Sequence, residues 1–402
     1  MLRFFFILLF STTIYSQSIV SNPAVHHHKN LPYANYALDF DGSNDYILVN
    51  GGTISNAWSV EVWYKKSGTS SRQNLTNKAN SNVSSSWALR LGQWYNKNKV
   101  GITKYGRADY YINDSRAQLE TGKWEHVAWT YQSNNVTVYV NGESLGSSFV
   151  RGPLSPGAIL YWNIIGKSSG TIKGELDELR IWNDKRTAEE ITENMFMELN
   201  GNESNLVAYY NMNEGTGFDV EDNSQNTYDG QMKNMSEEDW VLSNAPLGSI
   251  NDSYKTNIKA IWEKSSTSAS SLSDGLSMIS STGLAEENYT IYGNNGLSST
   301  SSLNLPPGEN LSLRSARVWQ FDVTGIVSID ITIDIGDATG YSGPPVLASD
   351  FRLLYRPVGC TGDCNFQVIS TASSVSSTDN IEFTNVSLQN GFYAIGTLGG
   401  EL

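Results

Sequence analysis

Val136-Thr137-Val138-Tyr139-Val140-Asn141-Gly142-Glu143 decides the fold class. The β-branched and aromatic side chains fit a pleated surface, and their two-residue period separates an inner face from an outer one. Asn-Gly then supplies two residues that accept positive φ, the requirement of a tight turn into a returning antiparallel strand. Working outward, Ser59-Val60-Glu61-Val62-Trp63-Tyr64, Trp87 to Leu91, Glu125 to Tyr131 and Glu175 to Trp182 alternate or nearly so, with Gly, Asn and Ser between them. This pattern predicts an all-β, antiparallel sandwich over residues 36–244. One helix interrupts it: Thr187-Ala188-Glu189-Glu190 is a capping box opening Ile191 to Leu199, with Gly201 beyond as the stop.

After a Ser-rich stretch, assigned as a linker over 245–273, the alternation returns. Val327, Ile329, Ile331, Ile333 and Ile335 share one face, while Ser328, Asp330, Thr332 and Asp334 share the other. With Arg317 to Val323, Phe351 to Arg356, Ile381 to Leu388 and Phe392 to Ile395, residues 274–402 hold enough strands for a second β-sandwich.

Composition narrows the partners. Asp+Glu of 41 against Lys+Arg of 27 gives a net charge of −14, which repels an extended polyanion and argues against nucleic acid. Charged residues make up only 17% while aromatics reach 11%, a mix suited to filling sheet faces and presenting ring surfaces to a ligand. Arg3, the apolar run to Phe10 and the polar exit around Ser16 read as a signal peptide over 1–16, too short to span a bilayer, followed by a polar leader over 17–35. The protein is therefore expected to be secreted or held at the cell surface, with no membrane span. His26, His27 and His28 in the leader read as solvated linker. In such a compartment, Cys360 and Cys364 are expected to close a small loop by a disulfide.

Several segments, in order, carry a family likeness: Ala37-Leu38-Asp39-Phe40-Asp41-Gly42-Ser43-Asn44-Asp45-Tyr46-Ile47, Val60-Glu61-Val62-Trp63, Gly122-Lys123-Trp124-Glu125-His126-Val127-Ala128, Val138 to Gly142, and Gly174-Glu175-Leu176-Asp177-Glu178-Leu179-Arg180-Ile181-Trp182-Asn183. This half of the chain resembles laminin G-like domains of the concanavalin A-like lectin/glucanase superfamily. The resemblance implies a jelly-roll sandwich and a role in binding a glycan or a surface protein. It also implies calcium held by Asp177 together with Asp41 and Asp45, although Asp-Gly turns are rich in Asp for local reasons too. The second half is more weakly similar to β domains of exported bacterial adhesin-like proteins, a likeness that bears on fold alone.

The superfamily's hydrolases set two carboxylates at period-two spacing on one strand, about 5 Å apart in one cleft. Glu175-Leu176-Asp177-Glu178-Leu179-Arg180 begins that motif and then offers Leu179 or Arg180 where the second Glu is required, so binding is favoured over glycoside hydrolysis or a structural spacer. Ligand candidates are the rings of a segment rich in Asn, Arg and Lys: Trp94, Tyr95, Tyr110 and Tyr111. Each is equally readable as core, whereas Trp87 shares its face with Leu89 and Leu91 and reads as core. The second candidate surface is the sheet around Glu61 and Trp63. His126 reads as a packed or rim histidine.

Overall fold

The computed structural model describes residues 35–68, 72–77, 87–94, 99–150, 159–263, 269–271, 275–280, 284–285, 287–325, 327–344, 346–360, 364–376, 379–399 and 402. The expected signal peptide, the histidine run and Tyr95 lie outside these residues. Two β-sandwiches follow one another, every ladder between named strands being antiparallel.

In the first sandwich one sheet runs, edge to edge, Glu143–Gly146, Asn135–Val140, Trp124–Gln132, Trp58–Lys66, Lys173–Trp182, Tyr36–Asp41 and Trp240–Leu242, with Leu206–Tyr210 also on Lys173–Trp182. The facing sheet runs Phe149–Val150, Ala108–Ile112, Gly101–Lys104, Trp87–Gly92, Gln73–Asn77, Ile164–Ile165, Tyr46–Val49, Gly230–Lys233 and Asp219–Val220. Alternation decides what lies between them. Trp58, Val60, Val62 and Tyr64 from one sheet meet Leu75, Trp87, Leu89 and Ile102 from the other in a single core. The hairpin forms as its sequence demands, with Asn141 at φ 52° and Gly142 at φ 79°.

The capping box is present: the Glu190 amide donates to Thr187 Oγ1 at 3.1 Å, and the Thr187 amide to Glu190 Oε2 at 2.8 Å. The helix, Ala188–Asn194, stops short of the expected Leu199. Met195, Phe196 and Met197 leave the helical path and insert their side chains into an apolar cluster described below.

In the second sandwich Ile329, Ile331 and Ile333 are buried and the residues between them face outward, so that Ser328–Asp334 alternates as its sequence does. Ile335 instead opens the short helix Ile335–Thr339, capped by Asp334, whose side chain accepts from the Asp337 amide at 2.9 Å. The structure corrects the linker. Thr256–Ile261 pairs with Tyr289–Asn294, and Ala269–Ser271 pairs with Leu276–Ile279, so residues assigned to a connection already belong to the second sandwich. Ile258 and Ala260 provide the alternation, in a strand short enough to be masked by the serines beyond it.

The two sandwiches are packed together. Trp63 and Trp124 of the first, Phe196 after the helix, Leu247 and Ile250 of the connection, and Ile258, Trp262 and Ile291 of the second form one buried cluster. Trp63 meets Trp262 edge to face at 6.0 Å between centroids, and Trp124 Nε1 donates to Asn244 Oδ1 at 2.6 Å.

Candidate functional site

Each sheet of the first sandwich also has an outer face, and on both of them polar and aromatic residues alternate with the core positions. On Trp58–Lys66 the outer set is Ser59, Glu61, Trp63 and Lys65. The structure closes this face. Trp63 is 0% exposed and its Nε1 donates to the Met195 carbonyl at 2.6 Å. Glu61 is buried as well, accepting from Trp182 Nε1 at 2.9 Å with His126 Nε2 at 3.4 Å. These two were expected on a binding surface; the helix, the Met195–Met197 segment and the second sandwich cover them instead.

Beneath that cover lies an ionisable network. A bulge between Asp177 and Arg180, with Glu178 at φ 54°, breaks the period, so that Leu176 and Leu179, three residues apart, both enter the core and Asp177 joins Arg180 on the outer face. Arg180 binds Glu178 Oε2 at 2.5 Å and donates to the carbonyls of Asn194 at 2.9 Å and Met197 at 2.5 Å, so it ties the sheet to its cover. Tyr209 donates to Glu178 Oε1 at 2.7 Å. Burial pushes Glu178 up to about 7 against the pull of Arg180 and Tyr209. Burial, then the neighbouring Glu178, raises Asp177 well above the usual carboxylate range. Burial works the same way on Glu61, but His126, Arg180 and Trp182 together outweigh it and hold that carboxyl low. His126 is held below its ordinary value by burial, against the pull of Glu61.

Asp177, Asp41 and Asp45 do not make one metal site. Asp41 lies opposite Lys173, four residues along the strand from Asp177, about 13 Å at the usual rise, whereas calcium oxygens sit about 2.3–2.6 Å from the ion. Asp177 accepts from Ser243 Oγ at 2.5 Å and is 0% exposed. Asp41 Oδ1 takes the Ser43 amide at 2.6 Å, and Asp45 Oδ2 takes the Asp41 amide at 2.8 Å, the local bonding of a turn. Burial, with Asp41 and Asp239 nearby, pushes Asp45 up to about 6.

The outer face of the facing sheet is only partly covered: Asn74, Arg90 and Thr103 are buried, while Trp94 and Arg107 are exposed. Its strands put Asn74, Arg90, Thr103 and Asp109 outward, because Leu89, Leu91, Ile102 and Tyr110 are in the core. Here Arg72, Arg90, Trp94, Lys104, Arg107 and Asp109 line a cleft of about 440 Å³. Arg90 forms its floor at 1% exposure; its Nε donates to Thr103 Oγ1 at 2.6 Å, and that hydroxyl donates onward to Asp109 Oδ1 at 2.6 Å. Gln93 Nε2 also reaches Thr103 Oγ1, at 3.1 Å, so the threonine hydroxyl has no capacity left. Arg90 Nη1 is buried with no partner among the described residues. Over the cleft Arg72 stacks on the Trp94 ring, 4.2 Å from guanidinium carbon to centroid.

Of the expected rings, Trp94 is in this cleft and 50% exposed; the ten other tryptophans are all buried. Tyr110 is not in the cleft: at 3% exposure it stacks on Trp87 with centroids 6.1 Å apart, a core ring that offers no face to a ligand. Tyr111 is half-buried on the outer side, opposite Gly101 and outside the cleft lining. The sequence reading missed Arg72, Arg90, Lys104 and Arg107. For Arg90 the signal was available, since Trp87, Leu89 and Leu91 on the inner face force it outward.

Residues 41–192 match the family described as the concanavalin A-like lectin/glucanases superfamily. No curated protein matches the chain. Among solved structures, a candidate carbohydrate-binding protein of Bacteroides ovatus is 20% identical, with 54% of this chain and 62% of that one covered and a TM-score of 0.42. A SAP-like pentraxin of Limulus polyphemus is 16% identical, covering 40% and 81%, with a TM-score of 0.31. The LG4-5 domains of the mouse laminin α1 chain are 18% identical, covering 37% and 41%, with a TM-score of 0.24. The chain thus spans less than two thirds of the length of the Bacteroides protein.

Proposed function

We propose that this is an exported carbohydrate-binding protein whose first sandwich takes a glycan in the cleft beside Trp94. The second sandwich serves as a structural cover for the opposite face. One observation carries the reading: the single exposed tryptophan among the described residues lies over a cleft floored by hydrogen-bond donors. Sugar rings present apolar faces and a rim of hydroxyls, which a flat ring and guanidinium forks match. The superfamily match over 41–192 supports the same reading.

Binding is favoured over hydrolysis because, among the described residues, Asp109 is the only carboxylate lining the cleft, where double displacement needs two about 5 Å apart. Glu61, Asp177 and Glu178 are sealed under the other face. Export is supported by the Arg3-led apolar N-terminus and by the disulfide between Cys360 and Cys364. The test is a glycan array with the full mature chain, followed by titration calorimetry of each hit. Trp94→Ala should weaken a true hit by about thirtyfold, the effect of removing an aromatic anchor. Unchanged affinity in that variant, or an array without hits, would overturn the assignment.

A further inference from the structure

The cleft has a charge opposite to that of the chain that carries it. Acids outnumber bases 41 to 27 over the sequence, yet among the described residues Arg72, Arg90, Lys104 and Arg107 line the cleft against the one acid, Asp109. That acid is committed to the Thr103 hydroxyl and, through it, to anchoring Arg90. The cations also weigh on one another. Burial, then Arg107, holds the Lys104 amine below its ordinary value, and the Arg90 guanidinium is held down by burial, against the pull of Tyr105 and Asp109, with Arg72 adding to the lowering. Nothing in the fold of the sheet requires like charges to be gathered here. The outer face could be filled by the amide and hydroxyl that Asn74 and Thr103 already provide.

We infer that the cleft selects an anionic saccharide, one bearing carboxylate or sulfate groups, with Arg107 and Arg72 meeting the anion at the surface and Arg90 supplying fixed positive charge from the floor. The inference deepens the carbohydrate-binding reading and rests on it. Guanidinium groups suit this role because their planar fork pairs two donors with two oxygens of a carboxylate or sulfate. Trp94 carries Arg72 on its face and leaves half of its surface for the sugar ring to which the anion is attached. The unpartnered Nη1 of Arg90 strengthens the argument: a buried donor without an acceptor at the base of the cleft favours an anionic or acceptor group there.

The test uses the full mature chain and four probes: alginate and polygalacturonate oligosaccharides for carboxylate, carrageenan oligosaccharides for sulfate, and laminarin oligosaccharides as the neutral control. Calorimetry is run at low and at high salt. Either acidic class should bind at least tenfold more tightly than laminarin, and tightness should fall as salt screens the contact. Arg107→Glu, at an exposed turn position, should abolish that preference while the melting temperature is retained. The carboxylate and sulfate arms tell the two anion sources apart. Equal, salt-independent binding of acidic and neutral sugars would overturn the charge inference and leave the carbohydrate reading standing. Failure of all four probes, with no hit on the array, would overturn both. Acidic binding that survives both Arg107→Glu and Trp94→Ala would place the anion elsewhere and overturn the inference too.

Discussion

The two outer faces of the first sandwich are written in nearly the same residue types and meet opposite fates. One carries Glu61, Trp63, His126 and Arg180, the other Arg90, Trp94, Thr103 and Asp109; each combines a tryptophan with charges that alternate against core positions. The first is buried under Met195–Met197 and the second sandwich, while the second stays open as a cleft. A polar-aromatic face therefore does not by itself announce a ligand site. What separates the two is the rest of the chain: Phe196, Leu247, Ile258 and Trp262 form an apolar surface that needs a partner, and only the first face is placed to receive it.

This comparison breaks most sharply at its two tryptophans. Trp63→Ala removes a fully buried ring packed on Phe196 and Trp262 and orphans the Met195 carbonyl. The expected loss is about 3–5 kcal/mol, read from urea unfolding midpoints at unchanged slope. A loss below about 1 kcal/mol would mean that the second sandwich does not cover this face in solution.

The covered face should also show in the pH dependence. Asp177 has a folded-state pKa well above the unfolded value, so its protonated form is the one the fold prefers. The stability it contributes is complete below the ordinary carboxylate value and is lost as pH rises toward the folded-state value. Glu178, raised to about 7, adds to the same decline between the ordinary carboxylate value and about 7. Asp177→Asn keeps the acceptor for Ser243 and cannot ionise. Wild type and variant should be close at pH 4, and the variant should become the more stable of the two by about 1 kcal/mol or more at pH 8. The scale follows from proton linkage, in which a tenfold change in proton affinity between folded and unfolded states corresponds to about 1.4 kcal/mol. Parallel stability curves from pH 4 to 8 would show Asp177 ionised at no cost, hence solvated.

Much of this architecture was legible in the sequence, and the gaps have physical causes. Alternation found the strands around Val60, Leu89, Val138 and Ile331 because one buried face leaves a two-residue period. The same rule assigns Tyr110 to the core beside Ile112, yet by residue type alone its ring is as readable as a ligand surface. The bulge at Glu178 was not legible, since a non-glycine residue at positive φ leaves no composition mark. Burial of Glu61 and Trp63 depends on segments from about 130 to 200 residues further along the chain and cannot be read locally. The cleft was half legible: Trp94 stood out by type, while its arginines and lysine came from three separate places, brought together only by strand pairing and turns.

The smallest expected effect completes the comparison. Trp94→Ala removes a ring of the same size as Trp63, but one half in solvent, stacked on the long Arg72 side chain and belonging to no apolar core cluster. An exposed cation–π contact contributes about 0.5–1 kcal/mol, and the half of the ring left in water adds nothing from burial. Arg72 regains water when the ring is cut away, so part of that contact is replaced. The unfolding midpoint should therefore move by no more than about 0.5 kcal/mol, the range of surface changes away from special features. A loss approaching that of Trp63→Ala would make Trp94 a structural ring, and the cleft would then lose its aromatic wall as a ligand surface. A stability near wild type leaves the exposed face of Trp94 without a structural reason to be there, which is the condition under which a ligand is the reason.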